Sequence, residues 1–274
     1  MNKLDRLKRI LAELKTAVLA YSGGVDSVFL AAVAGEVLKD DLLAVTADSP
    51  TYPPEELRFA RKAAAQLGLK HLVIKTTELK DKRFSSNSSK RCYYCKRRLF
   101  AELRRLADAR GIKYVIDAAN ISDNADYRPG NRAKKEFFVR SPLQEAGFNK
   151  EDIRRASKKM GLSSWNKPAM ACLASRIAYG TPLRAELLAR INKTEQFLGR
   201  SGLPGARVRH YGNLCRIETD VKYFPLLLRK RREIVSVLKR AGYSHITLDL
   251  QGYRQGSLNL DLPSARRPKR PCGR

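Results

Sequence analysis

The chain has 274 residues, of which 43% are hydrophobic and 30% charged, with 55 Lys and Arg against 27 Asp and Glu for a net charge of +28. These are the proportions of a soluble globular protein, and no apolar run approaches the ~18 residues that a membrane span requires, which excludes a helical membrane protein. The basic excess attracts polyanions and leaves nucleic acid, a nucleotide and a polyphosphate all open as partners.

The length favours two domains over one. Residues Met1 to Ile10 mix charges into an amphipathic helical pattern and lack the apolar core of a signal peptide, so the expected location is the cytoplasm. Ala17 to Tyr21 reads as a buried strand, followed by a Gly-Gly turn and a helix through Glu36. Leu43 to Ala47 is a second strand, and a helix from Glu55 to Leu67 follows it. His71 to Lys75 is a third strand, a polar loop at Ser85 to Ser89 leads to a helix through Ala109, and Tyr114 to Ala118 is a fourth strand. This alternation predicts an α/β fold with a doubly wound parallel sheet, whose ligand lies at the carboxyl ends of the strands. The pattern changes at Asn166-Lys167-Pro168. Beyond it come a helix from Arg184 to Leu198, a hairpin of Arg207–Tyr211 and Leu214–Glu218, a helix from Pro225 to Ala241 and a strand from His245 to Leu250. The expected division is an α/β domain over 1–165, a smaller α+β domain over 166–262 and a basic, disordered tail over 263–274.

Two segments carry chemistry. Ser22-Gly23-Gly24-Val25-Asp26-Ser27 joins a strand to a helix, where backbone amides and the helix N-terminus converge on an anion. It lacks the Gly-Lys-Ser/Thr ending of a Walker loop, so it is not built for γ-phosphoryl transfer. Asp48 follows the second strand, and Asp117, Asn120, Asp123, Asp126 and Arg128 follow the fourth at the same edge. Carboxylates beside a polyphosphate call for a hard cation such as Mg2+, although a self-capped polar loop would look the same. Of the five cysteines, Cys92 and Cys95 form a Cys-x-x-Cys pair at a helix start, which suits metal or redox chemistry better than a secreted disulfide framework. Cys215 and Cys272 fit no such pattern.

The loop resembles the PP-loop of the ATP pyrophosphatases, which grip pyrophosphate as the leaving group while AMP passes to an acceptor. In that resemblance Ser22, Gly23, Gly24, Asp26 and Ser27 contact phosphate or its magnesium, and Asp48 lies beside the adenosine. Asp123 to Gly130, Lys167 to Ile177 around Cys172, and Leu248 to Ser257 together resemble the LarE-type sulfur transferases, over nearly the whole chain to Asp261. The resemblance implies ATP and Mg2+ as cofactors and a pyridinium dicarboxylate mononucleotide as substrate, adenylated and then converted to a thiocarboxylate. It places the sulfur on Cys172 and implies a homo-oligomer, with no membrane partner. Arg176, Arg207 and Arg209 would lower the thiol pKa or hold the substrate's anionic groups, with Glu218 orienting them.

The sulfur source forks. Some members of the family surrender the sulfur of one cysteine, while others hold a [4Fe-4S] cluster on a Cys-x-x-Cys pair and the active-site cysteine. Cys92, Cys95 and Cys172 match the second pattern, which is the preferred reading here. The charge keeps one competitor open, a PP-loop tRNA thiolase, although no RNA-binding module is recognisable and nucleic acid is not the expected partner.

Overall fold

A computed structural model describes residues 2–125, 130–168, 171–254 and 257. The expectations for Asp126, Arg128, Cys272 and the tail over 263–274 lie outside the described residues. In chain order the elements are α1 (Lys3–Leu14), β1 (Ala17–Ala20), α2 (Val25–Leu38), β2 (Leu42–Asp48), α3 (Pro54–Gln66), β3 (Lys70–Lys75), α4 (Lys82–Ser85), α5 (Arg91–Asp108) and β4 (Tyr114–Ile116). They continue with α6 (Gly130–Glu136), α7 (Pro142–Glu145), α8 (Lys150–Lys159), α9 (Ala185–Arg200), β5 (Arg207–Tyr211), β6 (Leu214–Glu218), α10 (Phe224–Arg229), α11 (Arg231–Arg240) and β7 (His245–Leu248).

The described residues form two compact units, one of 2–78 with 90–168, the other of 79–89 with 171–254 and 257. In the first unit four parallel strands lie in the order β3-β2-β1-β4. Side chains alternate across a strand, and this sheet is covered on both faces. Ala17, Leu19, Ala44 and Ile116 pack with α1, α2, α3 and α8, while Val18, Val45 and Val115 pack with Phe100 and Leu103 of α5 and Ala133 of α6. Helix α2 is buried almost all round, which is why it lacks a polar stripe. Helix α8 starts at a reciprocal capping box, with Asn149 Oδ1 accepting from the Asp152 amide and Asp152 Oδ2 accepting from the Asn149 amide.

Strand β4 stops at Ile116, two residues short of its sequence pattern; on its outer side Ile116 bridges to Arg140, whose amide donates to the Val115 carbonyl at 3.0 Å and whose carbonyl accepts from the Asp117 amide at 2.9 Å. Helices α6, α7 and α8 fill a stretch for which the sequence reading assigned no element.

In the second unit β5 and β6 form an antiparallel hairpin around Gly212-Asn213, where Gly212 has φ +65°, and β7 joins β6 in parallel. Leu198, Val208, Ile217, Leu227, Ile234, Leu238 and Tyr243 form the core beneath it. The expected helix from Pro225 to Ala241 is two helices, broken at Lys230 inside the run of four adjacent cations Arg229 to Arg232. Residues 79–89 are stitched into this unit: Asn87 Nδ2 donates to the Ala178 carbonyl at 2.8 Å, and the Leu183 amide donates to the Ser85 carbonyl at 2.8 Å. Among the described residues no helix is long and apolar enough to cross a membrane.

Candidate functional site

The strand-to-helix loop after β1 is held open by its own serines. Ser27 Oγ donates to the Gly24 carbonyl at 3.1 Å and accepts from the Ser22 amide at 3.3 Å, while Ser22 Oγ accepts from the Gly24 amide at 3.3 Å. Gly24 is the N-cap of α2 and supplies no side-chain bond, so the helix presents its first-turn amides and positive dipole end to an anion. Gly23 has φ +71°, and a Cβ there would lie 2.8 Å from the backbone Cα of Ala60 in α3. Glycine is therefore required at this position twice over, by conformation and by space. Lys167 closes the loop from behind, its Nζ 2.8 Å from Glu56, 3.3 Å from the Gly23 carbonyl and 3.7 Å from the centroid of the Phe59 ring.

Asp26 sits in the first turn of α2 with both carboxylate oxygens 2.7 Å from Lys150 Nζ. Burial pushes its carboxyl above the ordinary carboxylate range, Lys150 pulls it partway back, and the neighbouring charge of Asp123 pushes it up again. Both carboxylates carry the hard oxygens that Mg2+ prefers. The other residues at the strand ends are engaged differently. Asn120 is buried, with Oδ1 accepting from the Ser122 amide at 2.9 Å and its own amide donating to Asp123 at 3.1 Å. Asp117 accepts from Ser141 Oγ at 2.7 Å and lies 3.4 Å from Lys134. These two shape the loop. Asp48 ends β2, where its carbonyl accepts from the Thr76 amide at 3.0 Å. Beyond it Ser49 and Thr51 turn buried hydroxyls onto the buried carboxylate of Glu78.

In the second unit Cys172 is half-buried and caps a short turn over Leu173–Arg176. Arg176 is fully buried and saturated: it grips both oxygens of Glu195 at 3.0 Å and donates to the Ala171 and Cys172 carbonyls at 2.7 and 3.2 Å. It therefore fixes the backbone that carries the thiol, rather than presenting a free guanidinium to it. Arg209 donates to Glu218 at 2.9 and 2.6 Å and to the Ser175 carbonyl at 2.9 Å, which ties the same turn to β5. Glu218, wholly buried, also accepts from Arg216 at 3.2 Å and Ser257 Oγ at 2.8 Å.

Arg207 differs from these. Its guanidinium is buried, 3.7 Å from Glu195 and 3.3 Å from the Ala206 carbonyl, with the Tyr253 ring 5.7 Å away. Burial, helped by the charge of Arg176, pushes its pKa down, the mark of a cation short of counter-charge. Such a group is suited to an arriving phosphate or carboxylate.

Cys92 is exposed and Cys95 half-buried, three residues apart in the first turn of α5 and so on one face of it. Cys215 is buried in the second core, and burial pushes its thiol up to about 12, which leaves it unreactive at neutral pH. Among the described residues no group of three or more His, Cys, Asp or Glu side chains is gathered to hold a metal ion; Cys92 and Cys95 belong to the first unit and Cys172 to the second.

Glu195, Lys150 and Lys167 escaped the sequence reading. Glu195 had a signal: it falls on the stripe of α9 that buries Leu188, Ile191 and Leu198, a place where a carboxylate needs a buried cation. Lys167 opens the segment around Cys172 that carries the family resemblance, but nothing in the sequence ties it to the loop, and nothing marks Lys150 among so many lysines.

A family model described as asparagine synthase matches residues 13–85, which include β1, the loop, α2, β2, α3 and β3. The chain is 41% identical over 263 residues to an uncharacterised protein of Synechocystis sp., covering 95% of this chain and 98% of the relative. It is 34% identical over 264 residues to the pyridinium-3,5-bisthiocarboxylic acid mononucleotide synthase of Lactiplantibacillus plantarum, covering 96% of each. An uncharacterised protein of Methanocaldococcus jannaschii is 31% identical over 258 residues, covering 93% of this chain and 98% of the relative. With a strand-to-helix phosphate loop at the carboxyl end of an interior strand of a parallel sheet and whole-length similarity of this order, the chain belongs to the LarE-type family of PP-loop enzymes, which use ATP to transfer sulfur.

Proposed function

We propose that the protein binds ATP and Mg2+ at the Ser22–Ser27 loop, adenylates a carboxylate of pyridinium-3,5-biscarboxylic acid mononucleotide, and converts it to a thiocarboxylate through Cys172. The loop carries this reading: it offers open amides to a polyphosphate and contains no lysine for γ-phosphoryl transfer, in a chain 34% identical to a synthase of the bisthiocarboxylic product. In the first step a substrate carboxylate oxygen attacks the α-phosphorus of ATP and pyrophosphate leaves into the amide cradle; Asp26 and Asp123 would hold Mg2+, which would supply positive charge to the leaving group. The sulfur then attacks the acyl carbon and expels AMP. Arg207 holds an anionic group of the mononucleotide, while Arg176, Arg209 and Glu218 keep the Cys172 turn in place.

If the sulfur is that of Cys172, the attack gives a thioester. Loss of the Cα proton and cleavage of the Cβ–Sγ bond then leave the thiocarboxylate and a dehydroalanine. This source is favoured by the turn that carries the thiol, which Arg176 and Arg209 pin at the Ala171, Cys172 and Ser175 carbonyls. The paired Cys92 and Cys95 favour the other source, a [4Fe-4S] cluster that Cys92, Cys95 and Cys172 would hold and that would supply an exchangeable sulfide.

The test is anaerobic incubation of the full chain with ATP, Mg2+ and the dicarboxylate mononucleotide, reading nucleotide products, substrate mass, protein mass and iron. AMP, pyrophosphate and a sulfur-for-oxygen gain on the substrate are expected; ADP and orthophosphate would overturn the reading. A protein lighter by about 34 Da, the mass of hydrogen sulfide, assigns the sulfur to Cys172, whereas repeated turnover with sulfide by intact, iron-bearing protein assigns it to the cluster.

A further inference from the structure

Asp26 lies in the first turn of the phosphate loop's helix, and its carboxylate is paired with a lysine. Lys150 Nζ sits 2.7 Å from Oδ1 and 2.7 Å from Oδ2, covering the carboxylate edge that a divalent cation would use. Two cations cannot share that edge without strong repulsion, so a metal that arrives at Asp26 displaces the ammonium.

The geometry gives the ammonium freedom to leave while holding its root. The Lys150 backbone is fixed, as the first residue of α8 behind the Asn149–Asp152 capping box, with its amide donating to Ser122 Oγ at 3.2 Å. Beyond that root the side chain is a flexible four-carbon stem, one-third exposed, facing a carboxylate that is also accessible to solvent. Arg154, a second cation whose charge reaches Asp26, is tethered elsewhere, donating to the Trp165 and Lys167 carbonyls at 2.8 and 2.9 Å. Lys150 is therefore the movable charge. Its destination follows from coordination distances. Mg2+ holds each oxygen at about 2.1 Å, so a phosphate oxygen on the same ion lies roughly 3–4 Å from the Asp26 carboxylate, a short swing from where the ammonium already sits.

We propose that Lys150 exchanges partners: it holds Asp26 in the nucleotide-free protein and moves to the departing pyrophosphate when Mg2+ takes the carboxylate. The proposal rests on reading the loop as a pyrophosphate site. It gives Lys150 two opposed effects, weakening capture of bare metal and strengthening capture of the magnesium pyrophosphate complex. A lysine that served only to neutralise Asp26 and brace α8 would have no such opposition.

The test uses the full chain and the variants Lys150→Ala and Lys150→Gln, the second keeping most of the stem in case the first disturbs folding. Mn2+ binding without nucleotide is read by electron paramagnetic resonance, and magnesium pyrophosphate binding by calorimetry. In both variants Mn2+ affinity is expected to rise and pyrophosphate affinity to fall, each roughly tenfold, the scale of one charge-assisted contact. Unchanged values, or loss of both affinities together, would overturn the exchange while leaving the loop reading intact. Wild-type protein that binds Mn2+ but takes up no pyrophosphate would remove the loop reading itself, and the exchange with it.

Discussion

Arg176 and Glu195 show how much of the second unit depends on one pair of charges. The guanidinium has no exposed surface and meets both oxygens of Glu195 at 3.0 Å, and the Val208 amide also donates to Glu195 at 3.0 Å. Replacing Glu195 by Ala strands a buried cation and a strand amide, a change that costs on the order of 3–5 kcal/mol. We expect urea unfolding of Glu195→Ala to report a loss of that size. Arg207→Met should move the same curve far less, because Arg207 meets Glu195 only at 3.7 Å and its charge already faces that of Arg176. If both substitutions cost the same, Arg207 belongs to the scaffold and is not held ready for an anion.

Between strands, the pairing of β2 with β3 carries a buried polar link: Thr46 Oγ1 donates to the Tyr21 carbonyl at 2.8 Å and lies 2.8 Å from His71 Nε2. Burial, with the charge of Arg61, holds the imidazole below its ordinary range, so the folded protein keeps it neutral where the unfolded chain takes up a proton. The stability it contributes is complete above the unfolded value of about 6.5 and is lost as pH falls through that value towards the lower folded one. His210 acts in the same direction. We expect melting temperature to fall between pH 7.5 and 5.5, and to fall less in His71→Gln; equal slopes would show that His71 carries no part of the dependence. The strands themselves were legible, since a fully covered parallel sheet demands short apolar runs such as Ala17 to Ala20, and glycine at 23 announced the loop. Less legible were α6 to α8 and the break at Lys230, which depend on neighbours far along the chain. Among the site residues the loop serines were readable from their spacing, whereas Lys150 and Lys167 gain meaning only when folding brings them to Asp26 and Glu56. Arg176 was visible, but its pairing with Glu195 was not, because a carboxylate on the buried stripe of α9 calls for a cation without naming which one.

At the scale of the whole molecule the outstanding property is a net charge of +28. Delivery of sulfur to one mononucleotide does not need it. Binding to polyanions through scattered lysines and arginines is dominated by counterion release and weakens by about a thousandfold or more between 50 and 200 mM salt. Filter binding of bulk tRNA should therefore be appreciable in dilute buffer and lost near physiological salt. Tight, saturable binding that survives there would redirect the assignment towards RNA as acceptor. The chain's path between its units has a different kind of consequence. Residues 79–89 belong with 171–254, yet they emerge from the ribosome before α5, β4 and α8 have been made. At about 5–20 residues per second, Phe84 and Asn87 wait several seconds for the partners that will bury them. During translation that short, mostly polar stretch leaves one large apolar side chain, Phe84, uncovered until the rest of the second unit has been made.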